Sequence, residues 1–235
     1  MNITITNLTK KYQNQVVLNN ITLDLQSVGT IGIIGESGCG KSTLLRQLSG
    51  IERPDNGEIV INDLSPILNK VQFQEKIGVV FQRHHLFPHL TLKENVSLIL
   101  QKTKKMDKHL ADQKSMELLE KLFIAQEADK KPKSVSGGQA QRCAIARALA
   151  TQPELIFLDE PTAALDPILT NEVLKAVSQL KNEGIQFIFV THEISFLREF
   201  ADYIIFLQNG RVCEHGSVDC LDNPTTQALR DFLHI

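Results

Sequence analysis

The chain has 235 residues, of which 42% are apolar and 22% charged, and its formal net charge is −2 at pH 7. At about 100–200 residues per domain, this length suits one large domain or two modest ones, and the composition is that of an ordinary globular protein with a real core. A charge balance this close to neutral excludes a nucleic-acid or anionic-membrane footprint built on overall charge.

Residues 2–25 alternate apolar and polar side chains, with Ile3, Ile5, Val17, Leu18, Ile21, Leu23 and Leu25 in the apolar set. A period of two predicts antiparallel strands with one wet face. Residues 30–34 form a short apolar run of buried-strand type, and Gly35 to Gly40 breaks it. Lys41 to Ser49 is then predicted as a helix, with Leu44, Leu45 and Leu48 on one face. Residues 92–150 change to a period of 3.6, as in Leu92, Val96, Ile99, Leu100 and Leu118, Leu119, Leu122, with no strand signal between Phe81 and Leu155. Buried-strand runs return at Leu155–Leu158 and Phe187–Val190, each followed by a helical pattern. Strands alternating with helices predict a parallel sheet covered on both faces. The tail is predicted as strand 203–207, a tight turn at Asn209–Gly210 and strand 211–214.

Two local lysine runs, Lys102, Lys104, Lys105, Lys108 and Lys130, Lys131, Lys133, carry no interleaved aromatics and read as solvated helix ends. No nucleic-acid partner is expected. No apolar run reaches the ~18–20 residues needed to cross a bilayer. Met1 leads straight into Ile3–Thr4–Ile5–Thr6, so no secretory signal is expected and the chain should stay in the cytosol unless another subunit holds it at a membrane. Cys39, Cys143, Cys213 and Cys220 form no Cys-x-x-Cys pair and are expected to be free thiols. His84 and His85 are adjacent but have no partner at metal-ligand spacing.

Gly35-Glu-Ser-Gly-Cys-Gly-Lys41-Ser42 matches G-x-x-x-x-G-K-[ST] in full, between a predicted strand and a predicted helix. Gly35, Gly38 and Gly40 let the backbone wrap a phosphate chain with its N–H groups inward. The cradle takes in Ser37, Cys39 and Thr43 as well. Lys41 is expected to reach the β- and γ-phosphates, and the Ser42 hydroxyl to ligate Mg²⁺. Downstream, the buried run 155–158 ends in Asp159 and Glu160. Two charges at a strand tip are costly unless a cation or a water needs them. Asp159 is expected to serve the metal and Glu160 to be the general base. Ser136-Gly-Gly-Gln139 opens a predicted helix from Ala140 to Ala150, with Ser136 as N-cap and two glycines baring backbone N–H groups. That is a second anion site in one chain.

With these motifs in order, the sequence resembles the ATP-binding-cassette family over nearly its whole length. The family signature is Leu-Ser-Gly-Gly-Gln, and here Val135 takes the Leu position. The resemblance implies a P-loop nucleoside-triphosphatase core of α/β class, with a mainly parallel sheet, an N-terminal antiparallel β-subdomain and a helical signature subdomain. It implies a single domain over 1–235, in which 1–82 and 151–235 form the core and 83–150 the helical subdomain. Tyr12 falls where the family stacks an aromatic on adenine. Gln82, ending Val79-Val-Phe-Gln82, matches the loop that senses Mg²⁺ and touches the membrane partner. Ala164-Leu165-Asp166 matches the loop that crosses the dimer, and His192 the histidine at the γ-phosphate. Ser136, Gly138 and Gln139 are expected on the phosphates of a second copy.

One phosphate loop and one signature per chain imply two copies head to tail with ATP between them. The resemblance also implies separate permease subunits at the cytoplasmic face of the plasma membrane. Leu86-Phe-Pro-His-Leu-Thr91 and Thr191 through Asp202 resemble the ATPases of bacterial polar amino-acid importers, which use a separate solute-binding protein. The end at Ile235, with no added regulatory domain, points away from the larger sugar-importer ATPases. The alternative is a cassette that regulates a membrane complex, of cell-division or lipoprotein-release type. Leu86, Phe87 and Pro88 put three apolar residues in a loop after a strand. They are expected either to receive a permease helix or to tuck back onto the helical subdomain.

Overall fold

The computed structural model describes residues 1–163 and 165–234. In chain order the elements are β1 (Ile3–Tyr12), β2 (Gln15–Leu25), β3 (Ile31–Gly35), α1 (Lys41–Leu48), β4 (Asn56–Ile61), α2 (Lys70–Lys76), β5 (Ile77–Val80), α3 (Leu92–Thr103), α4 (Lys108–Lys121), α5 (Gly137–Leu149), β6 (Leu155–Asp159), α6 (Pro167–Asn182), β7 (Gln186–Val190), α7 (Ile194–Phe200), β8 (Tyr203–Gln208), β9 (Arg211–Ser217) and α8 (Gln227–Leu233). The chain divides into two compact units, Met1–Gln74 with Gln186–Ile235, and Glu75–Ile185.

In the first unit, β2, β1 and β4 form an antiparallel sheet in that order. Its register sets Ile3 between Leu25 and Ile61, and Ile5 between Leu23 and Ile59. These six are buried, while Thr4, Thr6, Asp24 and Glu58 face water, as the period of two requires. Asn7, at φ 50°, marks the first of three register shifts between β1 and β2, the one between Ile5 and Leu8.

The same unit holds β7, β3 and β8 as parallel neighbours, with β9 antiparallel on β8. Every residue of β3 is buried, as expected for a strand covered on both faces. Phe187, Phe189, Phe196 and Phe200 stack beside it, with ring centres 5.1–5.5 Å apart. Asn209 and Gly210 both have positive φ, 50° and 72°, the backbone of a two-residue hairpin turn. A Cβ on Gly210 would come within 2.4 Å of the Val17 carbonyl oxygen, so only glycine fits there.

In the second unit, β5 and β6 are parallel, with Ile77 opposite Leu155 and Val80 opposite Leu158. Among the described residues no strand lies between them, and the helical character expected for 92–150 appears as α3, α4 and α5. Each of these helices starts on a side-chain cap: Thr91, Asp107 and Ser136. β4 and α2 were not marked by the sequence patterns. In β4 only Ile59 and Ile61 are buried, and in α2 only Phe73, so neither shows enough periodicity to register.

Asn95 lies on α3 with no exposed surface. Its Oδ1 accepts from the Phe87 N–H at 2.7 Å, and its Nδ2 donates to the carbonyls of Phe87 at 3.2 Å, Leu90 at 3.4 Å and Thr91 at 2.8 Å. One side chain thus closes the loop before α3 on itself. Asn95→Ala takes the acceptor from the part-buried Phe87 N–H and one donor from each of the three carbonyls, and the expected cost is about 1–3 kcal/mol of unfolding free energy. A denaturation midpoint equal to the parent's would show that the clasp contributes nothing.

Candidate functional site

The first unit carries the phosphate loop, at the C-terminal end of β3. Gly35, Gly38 and Gly40 have φ of 147°, 78° and 109°, a region costly for any residue with a Cβ. Two of them are also sterically required. A Cβ on Gly35 would lie 2.2 Å from the Leu207 carbonyl oxygen, and one on Gly40 would lie 2.9 Å from Leu18 Cδ2. At Gly38 nothing lies within 4 Å, so that glycine answers to backbone conformation alone. Gly40 is the N-cap of α1 and supplies no side-chain hydrogen bond. No side chain of the cap therefore covers the start of the helix, the end that favours an anion.

Lys41 is 8% exposed. Its ammonium donates to the carbonyls of Gly35 at 2.9 Å and Glu36 at 2.8 Å, which holds a positive charge across the loop. Ser37, Ser42 and Thr43 follow the loop into α1, and Cys39 is buried within it. Burial pushes the Cys39 thiol up, and the charge on Lys41 opposes that shift. His192 is exposed and lies just past β7. The register of β7 on β3 pairs Ile33 with Val190, and the Thr191 N–H donates to the Ile33 carbonyl at 3.3 Å. His192 and the phosphate loop therefore leave the same end of adjacent parallel strands, where α/β sheets bind ligands. Tyr12 ends β1 at the tip of the β1–β2 hairpin, and its hydroxyl donates to Glu52. Burial, and after it Glu52, raises the Tyr12 phenol above its usual value.

The second unit carries the acids. Asp159 ends β6 and is 6% exposed. Glu160 follows with φ 48°, left-handed backbone that a non-glycine residue adopts at a cost of roughly 1–2 kcal/mol. Gln82 Nε2 donates to Glu160 Oε2 at 3.0 Å. The pairing of Val80 with Leu158 explains this meeting, because Gln82 and Glu160 are each two residues further along neighbouring parallel strands.

The signature opens α5 with a reciprocal cap. The Gln139 N–H donates to Ser136 Oγ at 3.2 Å, and the Ser136 N–H donates to Gln139 Oε1 at 2.9 Å. A Cβ on Gly137 would lie 3.1 Å from Leu165 Cδ2, and one on Gly138 would lie 3.1 Å from Leu169 Cβ. The start of α6 thus packs directly on the signature glycines. Asp166 caps α6, accepting from the N–H groups of Ile168 and Leu169 at 2.9 Å each. Ala164 lies outside the described residues.

Arg142, which the motif reading passed over, is 5% exposed and anchors this helix. It donates to the carbonyls of Leu122 and Phe123 at the end of α4, at 3.3 and 3.4 Å, and to Glu172 on α6 at 2.6 Å. Burial lowers its affinity for the proton, and Glu172 partly restores it. An apolar position with one arginine in it was the only available signal.

The segment after Gln82 lines a cavity of about 730 Å³ together with Pro132, Ala140 and Ala163. Arg147 supports it from α5 by donating to the carbonyls of His85 at 2.6 Å and His84 at 3.0 Å. Burial, then the neighbouring His85, lowers the His84 pKa. Phe87 is 39% exposed, with the Arg147 guanidinium 5.9 Å from its ring centre.

Ser42, Gln82 and Asp159 offer hard oxygen donors with only one carboxylate. Among the described residues no group of three or more His, Cys, Asp or Glu side chains could hold a metal. Mg²⁺ takes one or two carboxylates and completes its shell with water and phosphate oxygens. The four cysteines are free thiols, and burial pushes the Cys143 thiol up to about 12. Among the described residues no helix is long and apolar enough to cross a membrane.

The ABC transporter family matches residues 18–163. The chain is 41% identical to the glutamine transport ATP-binding protein GlnQ of Escherichia coli K12 over 231 residues, covering 97% of this chain and 96% of that protein. It is 42% identical to the L-cystine import ATP-binding protein TcyC of Bacillus subtilis, covering 99% and 97% respectively. Among solved structures, it is similar to the dimeric post-hydrolysis state of the ATP-binding cassette MJ0796 bound to ADP and Pi. That likeness has a TM-score of 0.82 at 33% identity and covers 92% of this chain and 98% of the other. The chain belongs to the ABC transporter family and is one of its ATP-hydrolysing cassettes.

Proposed function

We propose that the chain powers a bacterial importer of polar amino acids, working as a pair of copies beneath permease subunits at the cytoplasmic face of the plasma membrane. What carries the reading is likeness over nearly the full length to subunits named for glutamine and L-cystine transport. Leu86–Thr91 and Thr191–Asp202 support the same class. A separate solute-binding protein supplies the substrate. The relatives named above favour this reading over that of a cassette that regulates a membrane complex.

In this proposal Gly35, Ser37, Gly38, Cys39, Gly40, Lys41, Ser42 and Thr43 wrap the phosphates and Tyr12 stacks on the base. Glu160, oriented by Gln82, takes a proton from the attacking water, and His192 faces the γ-phosphate. Ser42, Gln82 and Asp159 would hold Mg²⁺, which supplies charge neutralisation of the phosphate oxygens when bound. Ser136, Gly138, Gln139 and Asp166 act on the nucleotide of the second copy.

The pairing is tested by light scattering. Glu160→Gln with ATP and Mg²⁺ is expected to dimerise at micromolar protein, with the dimer population following ATP by mass action. Monomer throughout would sink the paired reading. The amino-acid assignment is tested by uptake. Cells carrying only the Glu160→Gln chain should lose import of a polar amino acid, and unaltered uptake of every polar amino acid would remove it.

Phe87 tests the coupling surface. Phe87→Glu is expected to cost the isolated subunit less than about 1 kcal/mol, because the ring is only partly covered. The same change should remove stimulation of ATPase activity by the permease. A loss of several kcal/mol in the isolated subunit would show that Phe87 belongs to the core instead.

A further inference from the structure

We infer that Glu52 is a positioning residue for nucleotide recognition, pinning the Tyr12 ring as a one-sided platform tied to the helix that follows the phosphate loop. This rests on the reading of Tyr12 as the residue that stacks on the base.

Glu52 comes four residues after the last residue of α1. The N–H groups of Ile51 and Glu52 both donate to the Arg46 carbonyl, at 3.1 and 3.2 Å, and Arg46 pairs with the Glu52 carboxylate at 3.6 Å. Gln47 is buried beneath. With its amide turned to satisfy its neighbours, it donates to the carbonyls of Arg53 at 3.2 Å and Glu52 at 3.3 Å. The turn carrying Glu52 is therefore an extension of α1.

The same turn is stitched to the strand that carries Tyr12. Lys10 Nζ donates to the Arg53 carbonyl at 2.8 Å, the Lys11 N–H to Asp55 Oδ2 at 2.6 Å, and the Asp55 N–H to the Thr9 carbonyl at 2.9 Å. Glu52 then accepts the Tyr12 hydroxyl directly. Lys10 Nζ also lies 5.5 Å from the Tyr12 ring centre and takes one face of the ring. Tyr12 keeps 40% of its surface exposed, so a planar base reaches the opposite face.

A tyrosine at a hairpin tip would otherwise turn freely about its side-chain bonds. Holding it in one rotamer before the base arrives removes that ordering cost from binding. It also fixes the distance between base platform and phosphate loop, because both are built onto α1. Any planar base would gain from the stack, and the spacing selects ligands that carry a base and a phosphate chain together.

The test compares ATP with inorganic tripolyphosphate, which has the phosphates and no base, by titration calorimetry with Mg²⁺. Tyr12→Ala is expected to weaken ATP roughly 5- to 100-fold, the range for loss of one base stack. Glu52→Ala and Tyr12→Phe should each weaken ATP about 3-fold, with the double variant no worse than either single one. Glu52→Gln keeps an acceptor oxygen and should bind ATP as the parent does. Tripolyphosphate affinity should stay constant throughout. Unchanged ATP affinity in Glu52→Ala, alongside a weakened Tyr12→Ala, overturns the pinning and leaves the platform standing. Unchanged affinity in Tyr12→Ala overturns the platform itself. A matching loss of tripolyphosphate affinity in Glu52→Ala also overturns the inference, since it would reveal general damage to the phosphate loop.

Discussion

Glu160→Gln is expected to lower steady-state ATP hydrolysis by roughly 10²- to 10⁴-fold, the contribution of a positioned general base, and to leave ATP affinity unchanged. The substitution keeps the shape of the side chain and keeps an oxygen that can accept from Gln82 Nε2, 3.0 Å away in the parent. It does not alter the left-handed backbone at φ 48°, so whatever strain that residue stores is equal in both proteins. What disappears is the carboxylate's capacity to take a proton from water. Phosphate release and nucleotide titration measured on one preparation separate the two effects. Turnover near the parent rate would remove Glu160 from the role of base.

Lys41→Ala is expected to act on the other quantity, weakening ATP about 10- to 100-fold, the range for one hydrogen bond to a charged group. The Lys41 ammonium spans the carbonyls of Gly35 and Glu36, so its charge is in place before any phosphate arrives. Removing it takes one donor from each of those carbonyls, and the fold should hold. Glu160→Gln binds as the parent does and turns over slowly, whereas Lys41→Ala binds more weakly. Equal ATP affinities in the two variants would refute the assignment of Lys41.

The signature helix shows how a motif's local and distant supports differ. Ser136 and Gln139 cap α5 by themselves, three residues apart. The glycines between them stay small because Leu165 and Leu169 pack against them. Arg142 ties the same helix to the end of α4 and to Glu172. Changes to these supports would act through the geometry of the signature, without contact to a phosphate.

The sequence alone was enough for whatever contiguous residues encode. The phosphate loop is strand, glycine turn and helix within about 20 residues, and the N-cap at Ser136 and the hairpin turn at Asn209–Gly210 need only their immediate neighbours. The helical stretch between β5 and β6 was equally legible from its period. Tertiary structure alone decided the meetings of distant residues. Gln82 and Glu160 are 78 positions apart, and Tyr12 and Glu52 are 40 apart. The positive φ at Glu160, the clasp of Asn95 and the anchorage by Arg142 were invisible for the same reason. A periodic pattern shows which face of an element is apolar. Which side chains then touch depends on strand register and on where long crossovers return, and those are settled only when the whole core packs at once.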